Sequence, residues 1–286
     1  MKIEAKKRFG QNFLKDNAVL NKIIQSMPEG NRKVVEIGPG LGDLTQKLLE
    51  KKDVIAFEID RDLCRLLKEK FAKEIEQGRL KLICADVLDH WKQNLAQEEY
   101  DLVANLPYYV ATNIVLKALQ DERCKNILVM LQKEVADKFS AQPKEREFSS
   151  LAVLAQSTGE AKRLFVVKPT SFSPPPKVDS AVLLITKRQN LADEDFMRFL
   201  KVAFKQPRKT LMKNLSEQYP KELLTQIFSS LGLASSLRPH EATTSIYHRL
   251  YEMLKEKIDG RATPQPAKQS EQSKEPEEKT SKSGGS

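Results

Sequence analysis

The residues of this chain that could do chemistry gather where apolar runs end. The run Tyr100-Asp-Leu-Val-Ala104 leads into Asn105-Leu106-Pro107-Tyr108 and then Tyr109. The Asn105 side-chain oxygen and the Leu106 carbonyl are hydrogen-bond acceptors one residue apart. Two acceptors suit an exocyclic amine, because each can hold one N–H. Pinning both hydrogens turns the nitrogen lone pair out of ring conjugation and toward an electrophile. Pro107 stiffens the turn and removes a competing N–H donor. Tyr108 offers a face for a base to stack on, worth roughly 1–3 kcal/mol. Read by itself, the segment is equally a proline turn with a core tyrosine.

Its neighbours decide between the two. Another apolar run ends in Glu36-Ile-Gly-Pro-Gly-Leu-Gly42. Glycines at a strand-to-helix turn admit a ligand close to the backbone and to helix N-terminal N–H groups. The dinucleotide fingerprint needs a third glycine at position 43, which is Asp43 here. The G-x-G-x-G spacing suits a nucleoside cofactor without a pyrophosphate, so S-adenosyl-L-methionine ranks above NAD. A purely structural tight turn is the alternative. Glu58 ends the next run, twenty residues after Gly38, where a carboxylate can accept from both ribose hydroxyls. Asp60 lies just past it. A further run ends in Cys84-Ala-Asp86. Asp86 could accept from an adenine amino group or cap a helix. Several such ends in succession favour methyl transfer to an amine. That reaction needs neither a nucleophilic side chain nor a metal, and His90 and His240 are not cast as catalysts. Cys64, Cys84 and Cys124 form no CxxC pair. They read as ordinary buried, unpaired thiols of a reducing cytoplasm.

These groups must be held by a scaffold. Short apolar runs at 33–37, 54–57, 80–83, 100–104 and 127–131 alternate with helical patterns near 43–51, 61–76, 112–120 and 132–140. That alternation predicts an α/β, Rossmann-like parallel sheet. Two more strands are expected near 161–167 and 178–186. Only the turn Ser173-Pro-Pro-Pro-Lys177 directly precedes the last, so an antiparallel insertion is expected there. Beyond Leu191 the apolar residues recur at helical spacing and predict a small all-helical domain. The division expected is a catalytic domain at 1–187, a helical domain at 188–257 and a disordered tail at 258–286.

The net charge is +9, unevenly spread. Residues 1–33 hold eight bases against three acids, and residues 188–257 twelve against eight. The centre and the tail are each neutral. Lys201, Lys205, Arg208, Lys209 and Lys213 fall within thirteen residues without an acid. Such a cluster fits the phosphates of a polyanion and would position rather than read it. No run approaches a membrane span of roughly 18 apolar residues. The basic N-terminus lacks the apolar stretch of a secretory signal. A cytoplasmic protein is expected.

Together the motifs resemble the ribosomal RNA adenine N6-dimethyltransferase family, in the branch that modifies small-subunit RNA. The resemblance covers roughly residues 8–255. It is carried by Gln11-Asn-Phe-Leu14, Glu36 to Gly42, Glu58, Asp86, Asn105 to Tyr108, Phe172-Ser-Pro-Pro-Pro-Lys-Val-Asp-Ser180 and Arg208-Lys-Thr-Leu-Met-Lys-Asn-Leu215. It implies a class I S-adenosyl-L-methionine-dependent fold with a helical C-terminal domain. Asn12 and Leu14 would lie against the cofactor, with Gly38, Gly40, Glu58, Asp86 and Asn105 completing its site. Phe172 would face the target adenine opposite Tyr108. The implied substrate is a pair of adjacent adenosines near the 3′ end of small-subunit rRNA in a pre-30S particle, each methylated twice by a monomeric enzyme. Lys6, Lys7 and Arg8 would extend the RNA surface. Ala85 and Pro207 depart from the family's usual glycine and basic residue. Two rivals are the sister branch that methylates large-subunit RNA and confers macrolide resistance, and an assembly factor for which binding matters more than methylation.

Overall fold

Val, Ile and Leu runs bounded by turn residues fold as strands buried on both faces, as a helix-covered parallel sheet requires. The computed structural model describes residue 6, residues 11–189 and residues 193–262, with side chains described as far as Ile258. The strands are β1 (Phe13–Leu14), β2 (Lys33–Ile37), β3 (Val54–Phe57), β4 (Leu80–Ile83), β5 (Tyr100–Asn105), β6 (Cys124–Gln132), β7 (Gly159–Val167), β8 (Phe172–Ser173) and β9 (Ser180–Lys187). Helices α1 (Asn17–Gln25), α2 (Asp43–Leu49), α3 (Arg61–Lys70), α4 (Ala72–Glu76), α5 (Val87–His90), α6 (Tyr108–Gln120), α7 (Lys133–Ser140) and α8 (Ser150–Thr158) alternate with them. Helices α9 (Glu194–Ala203), α10 (Leu211–Leu215), α11 (Lys221–Ser230) and α12 (Thr244–Ala262) follow.

Seven strands form one sheet in the order β4-β3-β2-β5-β6-β9-β7. The first five run parallel. Strand β9 is antiparallel to both β6 and β7, as the proline turn predicted. Alternate residues serve opposite faces. Leu102, Ala104, Ile127, Val129 and Leu131 join one core, and Val103, Leu128 and Met130 the other. α1, α2 and α3 cover the second face, through Leu20, Leu48 and Leu67 among others.

The expected boundary near residue 188 follows the end of β9, but it does not separate two cores. Phe196, Phe199, Leu224, Tyr247 and Leu250 belong to the same buried cluster as Ile127 and Phe139. The Phe148 and Phe204 rings meet at 6.2 Å, and Ser157 Oγ lies 2.8 Å from His248 Nε2. α12 continues to Ala262, past the expected end at 257. The remainder of the expected tail lies outside the described residues.

Two strands were not expected. β1 and β8 pair antiparallel, with Leu14 opposite Phe172 and Phe13 opposite Ser173. The cysteine reading also needs correction. Cys64 and Cys84 form a disulfide with Cα atoms 6.0 Å apart, and Cys124 is a buried free thiol. β3 and β4 run in parallel register with Phe57 opposite Ile83. That register brings the start of α3, after β3, beside the residue that follows β4.

Candidate active site

Four parallel strands, β4, β3, β2 and β5, lie side by side, so their C-terminal ends form one rim. Ligands of open α/β sheets bind at such a rim. A cavity opens there, lined by Asn12, Leu14, Gly38, Gly40, Glu58, Asp86, Asn105, Leu106, Pro107 and Tyr108. These include every cofactor residue expected from the sequence. The register explains the convergence: Ile37 sits opposite Phe57, and Phe57 opposite Ile83, so each chain leaves the sheet at the same level.

The glycine turn is shaped by its lack of side chains. Gly40 and Gly42 have φ of +60° and +80°, in the left-handed region that other residues avoid. A Cβ on Gly40 would lie 3.0 Å from the Phe13 ring, and one on Gly42 only 2.6 Å from Phe71. The Gly40 N–H donates to Glu58 Oε2 at 3.2 Å, tying the turn to the carboxylate beyond β3. The other Glu58 oxygen accepts from the Asp60 N–H at 2.9 Å. Burial pushes the Glu58 carboxyl upward, against the pull of these backbone donors. Glu36 lies deeper, 1% exposed. Burial raises it to about 8, while Thr45 donates to it at 2.7 Å. Asp86 is both a cap and a lining residue: its Oδ1 accepts from the Leu88 N–H at 2.9 Å at the start of α5.

The Asn105–Tyr108 turn is held from three sides. The Leu106 N–H donates to the Met130 carbonyl at 3.0 Å, extending the β5–β6 ladder. The Asn105 Nδ2 donates to the Asn12 carbonyl at 3.2 Å. That bond fixes the orientation of the Asn105 amide. Pro107 caps α6, and the Tyr108 hydroxyl lies 2.6 Å from Ser180 Oγ. Burial raises the Tyr108 phenol above its ordinary value, against the Ser180 hydrogen bond, so it stays neutral.

Comparison with known proteins follows this geometry. The family model for ribosomal RNA adenine dimethylases matches residues 2–256. The chain belongs to that family. The ribosomal RNA small subunit methyltransferase A of Sulfurimonas denitrificans is 56% identical over 259 residues, spanning 91% of this chain and 97% of that protein. Its namesake from Aliarcobacter butzleri is 51% identical over 258 residues, spanning 89% and 97%. A solved dimethyladenosine transferase from Plasmodium falciparum superposes with a TM-score of 0.72 at 23% identity, over 86% of this chain and 98% of that one. At that identity the likeness speaks for the fold, and the Rossmann-like methyltransferase sheet expected from the sequence is the one observed.

In this dimethylase some expected residues stand elsewhere. Phe172 does not line the cavity. It is 5% exposed and packs with Leu14, Val167 and Val182 in the second core. Its place opposite Leu14 in the β1–β8 ladder turns it to the interior. Lys6 is half-buried and paired with carboxylates rather than free on open surface. Its Nζ lies 2.7 Å from Asp60 and 2.6 Å from Asp62, and those bonds raise its pKa. Gln11 also donates to Asp60, at 3.0 Å. Burial pushes Asp60 up, but Lys6, Gln11 and the Asp62 N–H outweigh it and hold it below the ordinary value. Lys6 and Gln11 thus converge on Asp60, two residues beyond Glu58. Lys7 and Arg8 lie outside the described residues. Lys201, Lys205, Arg208, Lys209 and Lys213 are all exposed on α9, α10 and the loop between them, and Lys205 pairs with Glu217. Buried Asn214 shapes that loop: its Oδ1 accepts from the Gln206 N–H at 2.8 Å, and its Nδ2 donates to the Gln206 and Thr210 carbonyls.

Three residues were missed. Tyr109 is 59% exposed and lines the cavity. Burial raises its phenol, with the Asp86 and Glu58 carboxylates adding to the rise. Gln11 and Ser180 were quoted within motifs but given no role. Their partners are distant in sequence, so no local spacing announces them.

Proposed function

We propose that this protein transfers methyl groups from S-adenosyl-L-methionine to N6 of two adjacent adenosines near the 3′ end of small-subunit rRNA, giving N6,N6-dimethyladenosine. The observation that carries the reading is the Asn105–Tyr108 turn. It lies at the end of β5 on the cavity wall, with the Asn105 amide already oriented by Asn12. The small-subunit substrate is supported by the names of relatives about half identical to this chain. We further propose that it acts on a pre-30S particle during ribosome biogenesis, in the cytoplasm and as a monomer. Among the described residues no helix is long and apolar enough to cross a membrane.

The residues fit the cofactor class. Gly38 and Gly40 line the cavity with bare backbone, and Glu58 offers a buried carboxylate suited to ribose hydroxyls. When bound, S-adenosyl-L-methionine supplies an electrophilic methyl group. The protein supplies orientation and exclusion of water. The target adenine must leave its stack to reach the cavity. Asn105 Oδ1 and the Leu106 carbonyl accept its two N6 hydrogens, and Tyr108 stacks on its ring. The nitrogen pair would form the new N–C bond as the methyl–sulfur bond breaks and its electron pair stays on sulfur. The amine, now cationic and acidic, then loses a proton to water, so no dedicated base is required. The basic residues of the α9–α10 region hold RNA phosphates. Nucleoside mass spectrometry tests the reading. Unmethylated small-subunit RNA incubated with the protein and S-adenosyl-L-methionine should gain N6,N6-dimethyladenosine at two adjacent positions. Methylation confined to large-subunit RNA would refute it.

A further inference from the structure

The stretch from Phe172 to Ser180 is only partly explained by the reading above. Its aromatic residue is buried in the core, its prolines turn the chain into β9, and its terminal serine has no assigned work. The structure places that serine against the proposed stacking residue. Ser180 is the first residue of β9 and is fully buried. Its backbone is fixed on both sides, opposite Gln132 of β6 and Val167 of β7. Its hydroxyl lies 2.6 Å from the Tyr108 hydroxyl, within the range of a well-formed O–H···O bond.

Tyr108 is half-buried and lines the cavity. Its backbone is set by Pro107 at the start of α6. One end of the side chain is therefore fixed by the turn and the far end by β9. Between these anchors the ring is held at the cavity wall. A tyrosine tethered only at Cα would still rotate about its side-chain bonds. Every rotamer but one would remove the platform for the base.

We infer that Ser180 is a positioning residue for methyl transfer, fixing the Tyr108 ring so that a flipped adenine stacks with its amine at the Asn105 and Leu106 acceptors. This inference rests on the proposed function. It also divides the two transfers. Unmodified adenine gives two N–H donors to the turn, whereas N6-methyladenine gives one. Once a hydrogen bond is lost, the stacking plane carries more of the orientation. The tether should therefore matter more to the second transfer than to the first.

The test is a double-mutant cycle on the full-length protein, with unmethylated small ribosomal subunits and labelled S-adenosyl-L-methionine. Ser180→Ala and Tyr108→Phe each remove the tether, and Tyr108→Phe keeps the ring and its packing. Each should lower kcat about tenfold and leave S-adenosyl-L-methionine affinity within twofold, because Ser180 does not line the cavity. Each should let N6-methyladenosine accumulate. The double variant should be no worse than either single one, since both delete the same bond. Additive losses would overturn the inference, as would normal kcat and product ratio in Tyr108→Phe. Should Ser180→Ala fold poorly, Tyr108→Phe alone still decides. Tyr108→Ala separates this inference from the function reading. If it is fully active, stacking on Tyr108 fails and the inference fails with it. If it is inactive while Tyr108→Phe and Ser180→Ala are normal, the tether alone is refuted.

Discussion

Replacing Glu36 by Gln should stabilise the protein above neutral pH and leave it unchanged in acid. Glu36 stands on β2 with 1% of its surface exposed. Thr45 Oγ1 donates to it at 2.7 Å, and Glu58 is a second carboxylate lining the same cavity. Burial first, and the Glu58 charge with it, raises the Glu36 carboxyl from 4.5 to about 8 against the Thr45 bond. In the unfolded chain the group therefore ionises near 4.5 and in the folded chain near 8. Its folded pKa is the higher one, so the associated stability is complete below about pH 4.5 and is lost as pH rises to about 8. Each unit within that window costs about 1.4 kcal/mol. From pH 5 to pH 8 the loss is about 4 kcal/mol, a large share of a typical folding free energy. Glutamine carries no charge at any pH, and its carbonyl still accepts from Thr45.

The assay is urea unfolding followed by fluorescence of the sole tryptophan, Trp91, which is buried. Glu58 is also raised by burial, but it is present in both proteins and largely cancels in the difference. At pH 5 the two midpoints should agree. At pH 8 to 9 Glu36→Gln should be the more stable by several kcal/mol. Parallel pH profiles would show that Glu36 is ionised in the folded protein and that the burial argument is mistaken.

Other substitutions test other parts of the site. Glu58→Ala should weaken S-adenosyl-L-methionine at least tenfold by calorimetry, about 1.4 kcal/mol; unchanged affinity would remove the ribose role. Lys209→Ala should weaken RNA binding alike for all sequences and reduce the salt slope by about one contact. An unchanged slope would return that cluster to ordinary surface. Phe172→Ala should cost about 3–5 kcal/mol of folding stability as a buried aromatic deletion. A variant that unfolds normally but fails to methylate would restore Phe172 to the base-stacking role first expected of it. Lys6→Ala should weaken S-adenosyl-L-methionine binding by removing the cation from Asp60, two residues beyond Glu58, with RNA affinity little changed; the reverse pattern would make Lys6 an RNA contact.

The sheet was legible because each strand carries its own signal. A buried parallel strand is a short β-branched run closed by a turn. The runs at 54–57 and 80–83 accordingly match β3 and β4 residue for residue. The cofactor rim was legible for a related reason. Parallel strands of equal level expose the residues at their ends to one place, so the residues closing successive runs must converge. α8 was missed because Ala152, Val153, Leu154, Ala155, Ser157 and Thr158 are all buried. A helix enclosed on every side has no apolar stripe to give its period away. β1 and β8 are two residues each, too short for any alternation to register.

The missed side-chain roles share a different cause. Lys6 and Asp60 are 54 residues apart, and Tyr108 and Ser180 are 72 apart. Each pair is made by topology, the first beside the end of β3 and the second by β9 entering the sheet between β6 and β7. A lysine in a basic run reads as an RNA contact until two carboxylates are found beside it. A serine at the end of a proline turn reads as a strand start until a phenol is found on it. Phe172 is the converse case. Its motif named it an aromatic face for a base, but its register opposite Leu14 spends that face on the core. Motif residues identify the chemistry of a site, and strand register decides which of them are free to perform it. Of the two aromatic residues expected to face a base, Tyr108 is the one left lining the cavity, and the part of the proline motif that reaches it is the hydroxyl of Ser180.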